Sequence, residues 1–138
     1  MKLSTKGRYG LRAMFELATN SNNEYISLNN ISMRQDISIR YLEQVFSLLK
    51  KANLVKSTKG FQGGYMITKD TSNITVGEIL RALEGNISLV ELEHEKRDLI
   101  SESINKQVWT NLNNRVNGII DSITLEDIIK DSRNDMDI

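Results

Sequence analysis

Cysteine is absent from all 138 residues. That excludes disulfides, thiolate nucleophiles and cysteine-ligated zinc or iron–sulfur clusters. Histidine occurs once, so no histidine cluster can assemble within one chain. No apolar run approaches membrane-spanning length, and the opening MKLSTKGRYG lacks the apolar core of a signal peptide. A cytoplasmic location without membrane contact is therefore expected. Phosphate-cradling P-loops and G-x-S-x-G elbows are also missing. Glu91, Glu93 and Glu95 lie in a stretch that reads as a solvated turn, so no enzyme is expected. His94 among those carboxylates could be read as a metal site; the simpler reading is a solvated acidic turn, and no metal is assigned.

Net charge is missing too, since eighteen Lys and Arg balance eighteen Asp and Glu. The balance hides a split. Residues 1–70 carry eleven bases against five acids, a surplus of +6, and the remainder carries seven against thirteen, hence −6. A basic half beside an acidic one suits a surface that meets a polyanion, although charge also fluctuates along any chain. Hydrophobic content of 39% and charged content of 26% are those of an ordinary globular domain.

Periodicity organises the first half. STKGRYGLRAMFELATNS places Tyr9, Leu11, Ala13, Met14, Phe15, Leu17 and Ala18 on one overlapping apolar face, with Ser4 or Thr5 available as cap. SLNNISMRQD reads as a short helix with Leu28 and Ile31 inward. In ISIRYLEQVFSLLKKANLV the face is clean: Ile39, Leu42, Val45, Phe46 and Leu49 point one way, and Arg40, Tyr41, Glu43, Gln44, Ser47 and Lys51 the other. Ser38 can cap this helix, and Lys50 and Lys51 suit its last turn. LVKS and YMIT are short strand candidates joined by TKGFQGG, whose Gly60, Gly63 and Gly64 permit positive φ and close approach to another surface.

Helix, short helix, amphipathic helix and basic hairpin is the order of a winged helix-turn-helix. Fourteen residues at 1.5 Å each make a helix of about 21 Å that can lie in a major groove about 12 Å wide. The expected fold is mainly α with a small β-hairpin wing: a winged helix-turn-helix domain over 1–85, then a linker, a long dimerisation helix and an acidic C-terminal tail over 86–138.

Ser38, Arg40, Tyr41, Glu43 and Gln44 are the candidates for reading base edges. Arg40 suits guanine O6/N7, Gln44 adenine N6/N7, and Glu43 the cytosine amino group, acting chiefly by rejecting other bases. Lys6, Arg8, Lys56 and Lys59, with the wing glycines Gly60, Gly63 and Gly64, are assigned to phosphates, where they set affinity and not sequence choice.

Later, Thr75 and Glu78 have capping-box spacing before VGEILRALEG, which Gly85 would end. SESINKQVWTNLNNRVNGIIDSI carries Ile104, Val108, Leu112, Val116 and Ile119 or Ile120 on one stripe, with Trp109 beside it. A seam this long favours a second copy, the alternative being that it packs on its own domain. TLEDIIKDS closes as a short helix, with Thr124 and Asp127 spaced as another capping box.

Four motifs in order, MKLSTKGRYGLRAMFELA, YLEQVFSLLKKANLV, KGFQGGY and TVGEILRALEG, resemble the Rrf-type (IscR/NsrR/CymR-like) winged helix-turn-helix regulators. The resemblance covers about residues 1–85 by motif and runs more loosely to Thr124. It implies a dimeric bacterial transcription factor, usually a repressor, with one long dimerisation helix per subunit. Cluster-binding members supply three cysteines and a further ligand from the segment matching 86–106. Here that segment has no cysteine, and Lys106 stands where a ligand would be expected, so the resemblance implies no iron–sulfur cofactor. The cysteine-free branch resembles repressors of cysteine and sulfur-metabolism genes that act with cysteine synthase. Cysteine synthases capture a C-terminal isoleucine of their partners, and this sequence finishes RNDMDI, making Ile138 the expected partner-binding residue; the alternative is a frayed terminus. A winged-helix module that binds protein, or a regulator of unrelated genes answering to a small molecule, are the other readings.

Overall fold

The computed structural model describes residues 3–20, 24–60, 63–88, 90–94 and 98–136. Its order is α1 (Thr5–Asn20), α2 (Leu28–Gln35), α3 (Ile39–Lys51), β1 (Val55–Thr58), β2 (Gly64–Ile67), a 3-10 turn at Thr71–Asn73, α4 (Val76–Glu84), α5 (Leu99–Ile104), a π-helical turn at Asn105–Trp109, α6 (Thr110–Ser122) and α7 (Leu125–Met136). Among the described residues no helix is long and apolar enough to cross a membrane.

Local signals start the helices where the sequence places them. The Ser27 hydroxyl accepts from the Asn30 N–H at 3.2 Å and the Ser38 hydroxyl from the Tyr41 N–H at 3.2 Å. Thr75 and Glu78 close their reciprocal box, and Gly85 ends α4 with φ 80°. At Thr124 and Asp127 the same exchange occurs over 3.0 and 3.1 Å, and the bond from the Thr124 N–H holds the Asp127 carboxyl below the usual carboxylate range. The start of α1 is different. Its N–H groups are met by Glu84, the last residue of α4, whose Oε1 accepts from the N–H of Ser4 at 3.2 Å and of Gly7 at 3.0 Å, and from the Ser4 hydroxyl. A carboxylate suits the positive end of a helix, and here it also binds α4 to α1.

The main core joins Ala13, Met14 and Leu17 of α1, Ile31 of α2, Leu42, Val45, Phe46 and Leu49 of α3, Ile79 and Leu83 of α4, and Leu125 of α7. Ile39, placed inward by its period, is 41% exposed. It is the first residue of α3, and the helix enters the core only one turn later. The strands pair antiparallel from Val55↔Ile67 to Thr58↔Gly64, one residue off the LVKS and YMIT reading. Leu54 instead follows α3 into the core, its N–H donating to the Leu49 carbonyl at 3.0 Å.

The wing glycines differ in kind. Only Gly60 of the three takes positive φ, at 109°. Gly63 and Gly64 are needed because a Cβ there would strike the chain's own backbone: Thr58 O at 2.7 Å from Gly63, and Ile26 O at 2.3 Å from Gly64. Their close approach is therefore intramolecular, with Ile26 and Tyr65 exchanging two 2.8 Å backbone bonds beside the hairpin.

From 99 to 122 the chain is helical without a break, about 36 Å at 1.5 Å per residue, with one π turn inside it. Asn105, Asn113 and Asn117 hold the preceding segment onto it. The Asn105 amide exchanges bonds of 2.8 and 3.0 Å with the Glu93 backbone, Asn113 does the same with Val90 at 3.3 and 3.1 Å, and Asn117 donates to the Ile87 carbonyl at 2.9 Å. Arg81 of α4 clamps Asp121 at 2.6 Å and Asn117 at 2.6 Å, and its hydrogen bond holds the Asp121 carboxyl below the usual carboxylate range.

Past the long helix the chain returns. The Val76 N–H donates to the Ile123 carbonyl at 2.8 Å and the Leu125 N–H to the Ile74 carbonyl at 2.9 Å, seating α7 beside α1. The stretch read as an acidic tail is thus helical from Arg133 to Met136.

Candidate nucleic-acid interface

The Ser38 cap starts α3 with its apolar side sealed in the core, leaving Arg40, Glu43, Gln44 and Ser47 exposed on the outer side. Tyr41 is half-buried, its ring edge-on to Tyr9 at 5.6 Å between centroids. Burial raises the pKa of its phenol, with Glu84 and Tyr9 adding to the shift, so Tyr41 offers a neutral hydroxyl. The same ring contact sets the first turns of α1, with half-buried Lys6 and exposed Arg8, beside the start of α3.

At the other end of α3, the Lys50 ammonium donates to the Ser57 hydroxyl at 2.7 Å and ties the helix to β1. Burial alternates along β1, with Val55 inward and Lys56 outward. Lys59 stands exposed at the start of the hairpin connection, next to Gly60.

The cations divide into two groups. Arg34, Lys69, Arg81 and Lys130 are engaged with Glu16, Glu78, Asp121 and Glu126 at 3.8, 2.7, 2.6 and 3.3 Å. Lys6, Arg8, Arg40, Lys56 and Lys59 are in no ion pair among the described residues, nor are Arg12, Lys50, Lys51, Lys106, Arg115 and Arg133. Charge left unneutralised along α1, α3 and the wing is what a row of phosphates requires.

The stripe assigned to dimerisation is divided. Val116 and Ile120 pack on the chain's own Val76, Leu80 and Ile87, while Ile104 and Trp109 are half-buried. Val108, Leu112 and Ile119 remain 38%, 37% and 59% exposed. Leu99 and Ile100, outside the stripe read from the sequence, are 81% and 71% exposed at the head of the same helix. The dipeptide lies just before Ser101, outside the stretch whose period defines the stripe. Ile138 and Glu95 lie outside the described residues.

A helix-turn-helix followed by a two-stranded wing defines a winged-helix regulator of transcription. Residues 3–131 match the Rrf2 family, described as iron-dependent transcriptional regulators. The chain is 42% identical over 128 residues to the HTH-type transcriptional regulator CymR of Bacillus subtilis, spanning 93% of this chain and 89% of that one. It is 37% identical to IscR of Photobacterium profundum, over 96% and 77% of the two chains. The solved structure of CymR, described as the global cysteine regulator of B. subtilis, superposes with a TM-score of 0.80 at 41% identity, covering 93% of this chain and 95% of that one. The protein belongs to the Rrf2 family of transcriptional regulators.

Iron dependence does not fit this donor set. The chain has no thiol, its one histidine, His94, is exposed, and no group of three or more His, Asp or Glu among the described residues is placed to hold a metal ion. The segment before the long helix is held instead by the asparagine amides described above.

Proposed function

We propose that this regulator is a homodimeric repressor that reads a near-palindromic operator without a metal cofactor. Residues Ser38, Arg40, Glu43 and Gln44 enter the major groove, Tyr41 stands at its edge, and Lys6, Arg8, Lys56 and Lys59 bind phosphates. The observation that carries this reading is the set of cations, in no ion pair among the described residues, that flank the exposed side of α3. A second copy covers Val108, Leu112 and Ile119, which one chain leaves wet. Similarity to CymR supports a regulon of cysteine and sulfur metabolism. The test is capture of fragmented genomic DNA by the purified protein at physiological salt, followed by sequencing. A shared near-palindrome upstream of sulfur genes supports the whole reading; one upstream of unrelated genes removes the regulon and keeps the mechanism; capture of no shared sequence sinks it.

Two substitutions separate affinity from choice. Lys59→Ala is expected to weaken all duplexes alike and lower the salt slope by about one, because it removes one phosphate contact. A loss confined to one sequence would make Lys59 a reader of bases or shape. Glu43→Ala is expected to relax preference at one base pair with little change in non-specific binding. An unchanged site preference would take Glu43 off the reading face.

Cysteine synthase is proposed as partner on the family resemblance. Deleting Ile138 should abolish co-purification of the two proteins, and unaltered affinity would discard the partnership.

A further inference from the structure

We propose that the cleft between α1, the end of α2 and α7 is an effector site for a small α-amino acid. This deepens the regulatory reading above, and rests on it only for the consequence at DNA. The cleft is open to solvent and offers about 550 Å³, within the range of small-molecule sites. Leu11, Phe15 and Ile128 supply apolar lining. Arg12 comes from α1 and Asp131 from α7, and among the described residues neither is in an ion pair. A cation and an anion left unneutralised at one cleft suit a ligand that carries both charges. The guanidinium takes a carboxylate through paired N–H groups, the Asp131 carboxylate takes an ammonium, and the apolar lining takes the side chain.

The wall shared with α2 connects this cleft to the recognition helix. Gln35 is the last residue of α2, directly before Asp36, whose left-handed backbone (φ 55°) turns the chain toward Ser38 and α3. Its amide is held from α1 at both ends. Arg12 Nη1 donates to Gln35 Oε1 over a long 3.3 Å, and Gln35 Nε2 donates to Glu16 Oε1 at 2.6 Å. A ligand carboxylate competes with the neutral amide oxygen for Arg12, because it adds an opposite full charge and can take two parallel guanidinium bonds where Gln35 takes one. Binding therefore removes one of the two ties on the turn and lowers operator affinity. The ligand is an inducer.

The test uses the full chain with glycine, L-serine, L-methionine and L-leucine, each at about 10 mM, and with propionate and propylamine as single-charge controls. At least one amino acid should raise the melting temperature by about 5 °C or more, and neither control should do so. Arg12→Gln and Asp131→Asn should each weaken that binding at least about tenfold, as loss of one charge-assisted contact implies, with unliganded circular dichroism unchanged. No shift with any amino acid, or equal binding by both variants, overturns the site. The amino acid that binds should also release captured operator DNA from the wild type and not from Asp131→Asn. Binding without release overturns the coupling through Gln35. Failure to capture DNA at all would sink the operator reading, while the melting shift still decides the cleft.

Discussion

Replacing Gly64 with alanine is expected to cost about 2–4 kcal/mol of folding stability, a large share of the roughly 5–15 kcal/mol typical of a domain. A Cβ there would lie 2.3 Å from Ile26 O and 2.5 Å from Ile26 C. These are backbone atoms, and no side-chain rotation relieves the contact. Ile26 is fixed by its two 2.8 Å bonds with Tyr65, and the next residue, Ser27, caps α2. Tyr65 is fixed in turn by its ring against Phe46, 4.7 Å between centroids. Overpacking of this kind costs about 1–3 kcal/mol, and each backbone bond lost adds about 1 kcal/mol. Urea unfolding with Gly118→Ala as control measures it. Nothing lies within 4 Å of a Cβ at Gly118, inside α6, so that change should be neutral or stabilise slightly. Equal midpoints for both variants would show that the hairpin shifts freely on α2.

The double variant Leu112→Glu/Ile119→Glu is expected to sediment as a monomer and to lose about 10²–10⁴-fold in operator affinity. The loss follows because two half-sites then bind independently instead of through one linked pair. Both side chains are exposed in the single chain, so each change should leave the fold within about 0.5 kcal/mol. Two half-sites one helical turn apart, about 34–36 Å centre to centre, suit paired recognition helices held by a dimer of this kind. An unchanged sedimentation coefficient would move the interface elsewhere, with exposed Leu99 and Ile100 the next surface to charge.

Both predictions rest on contacts that single-segment patterns do not reveal. The seam over 101–123 reads as one stripe because the period treats its apolar positions alike. Val116 and Ile120 are taken by α4, and Val108, Leu112 and Ile119 are not. Which of them meets the chain's own core depends on how Arg81 and Asp121 set α4 against α6, forty residues apart in sequence. The π turn at Asn105–Trp109 shifts the helical phase besides, and nothing in NKQVW announces it.

The sequence by itself determined the class of the protein, the amphipathic helix α3 and the caps at Ser38, Thr75 and Thr124. The class rests on four motifs in order, and the helix and caps are local signals: an apolar stripe over about three turns from 39 to 49, or a hydroxyl three residues before the N–H it caps. The match of residues 3–131 to the family bears out the class. Tertiary structure alone decided that Glu84 caps α1, that Gly64 is glycine for the sake of Ile26, that α7 returns to complete the core with Leu125, and that Asn105, Asn113 and Asn117 hold the segment before the long helix. These partners lie 12 to 80 residues apart or belong to different elements. Side-chain periodicity reports which face of an element is buried, and packing chooses what it is buried against.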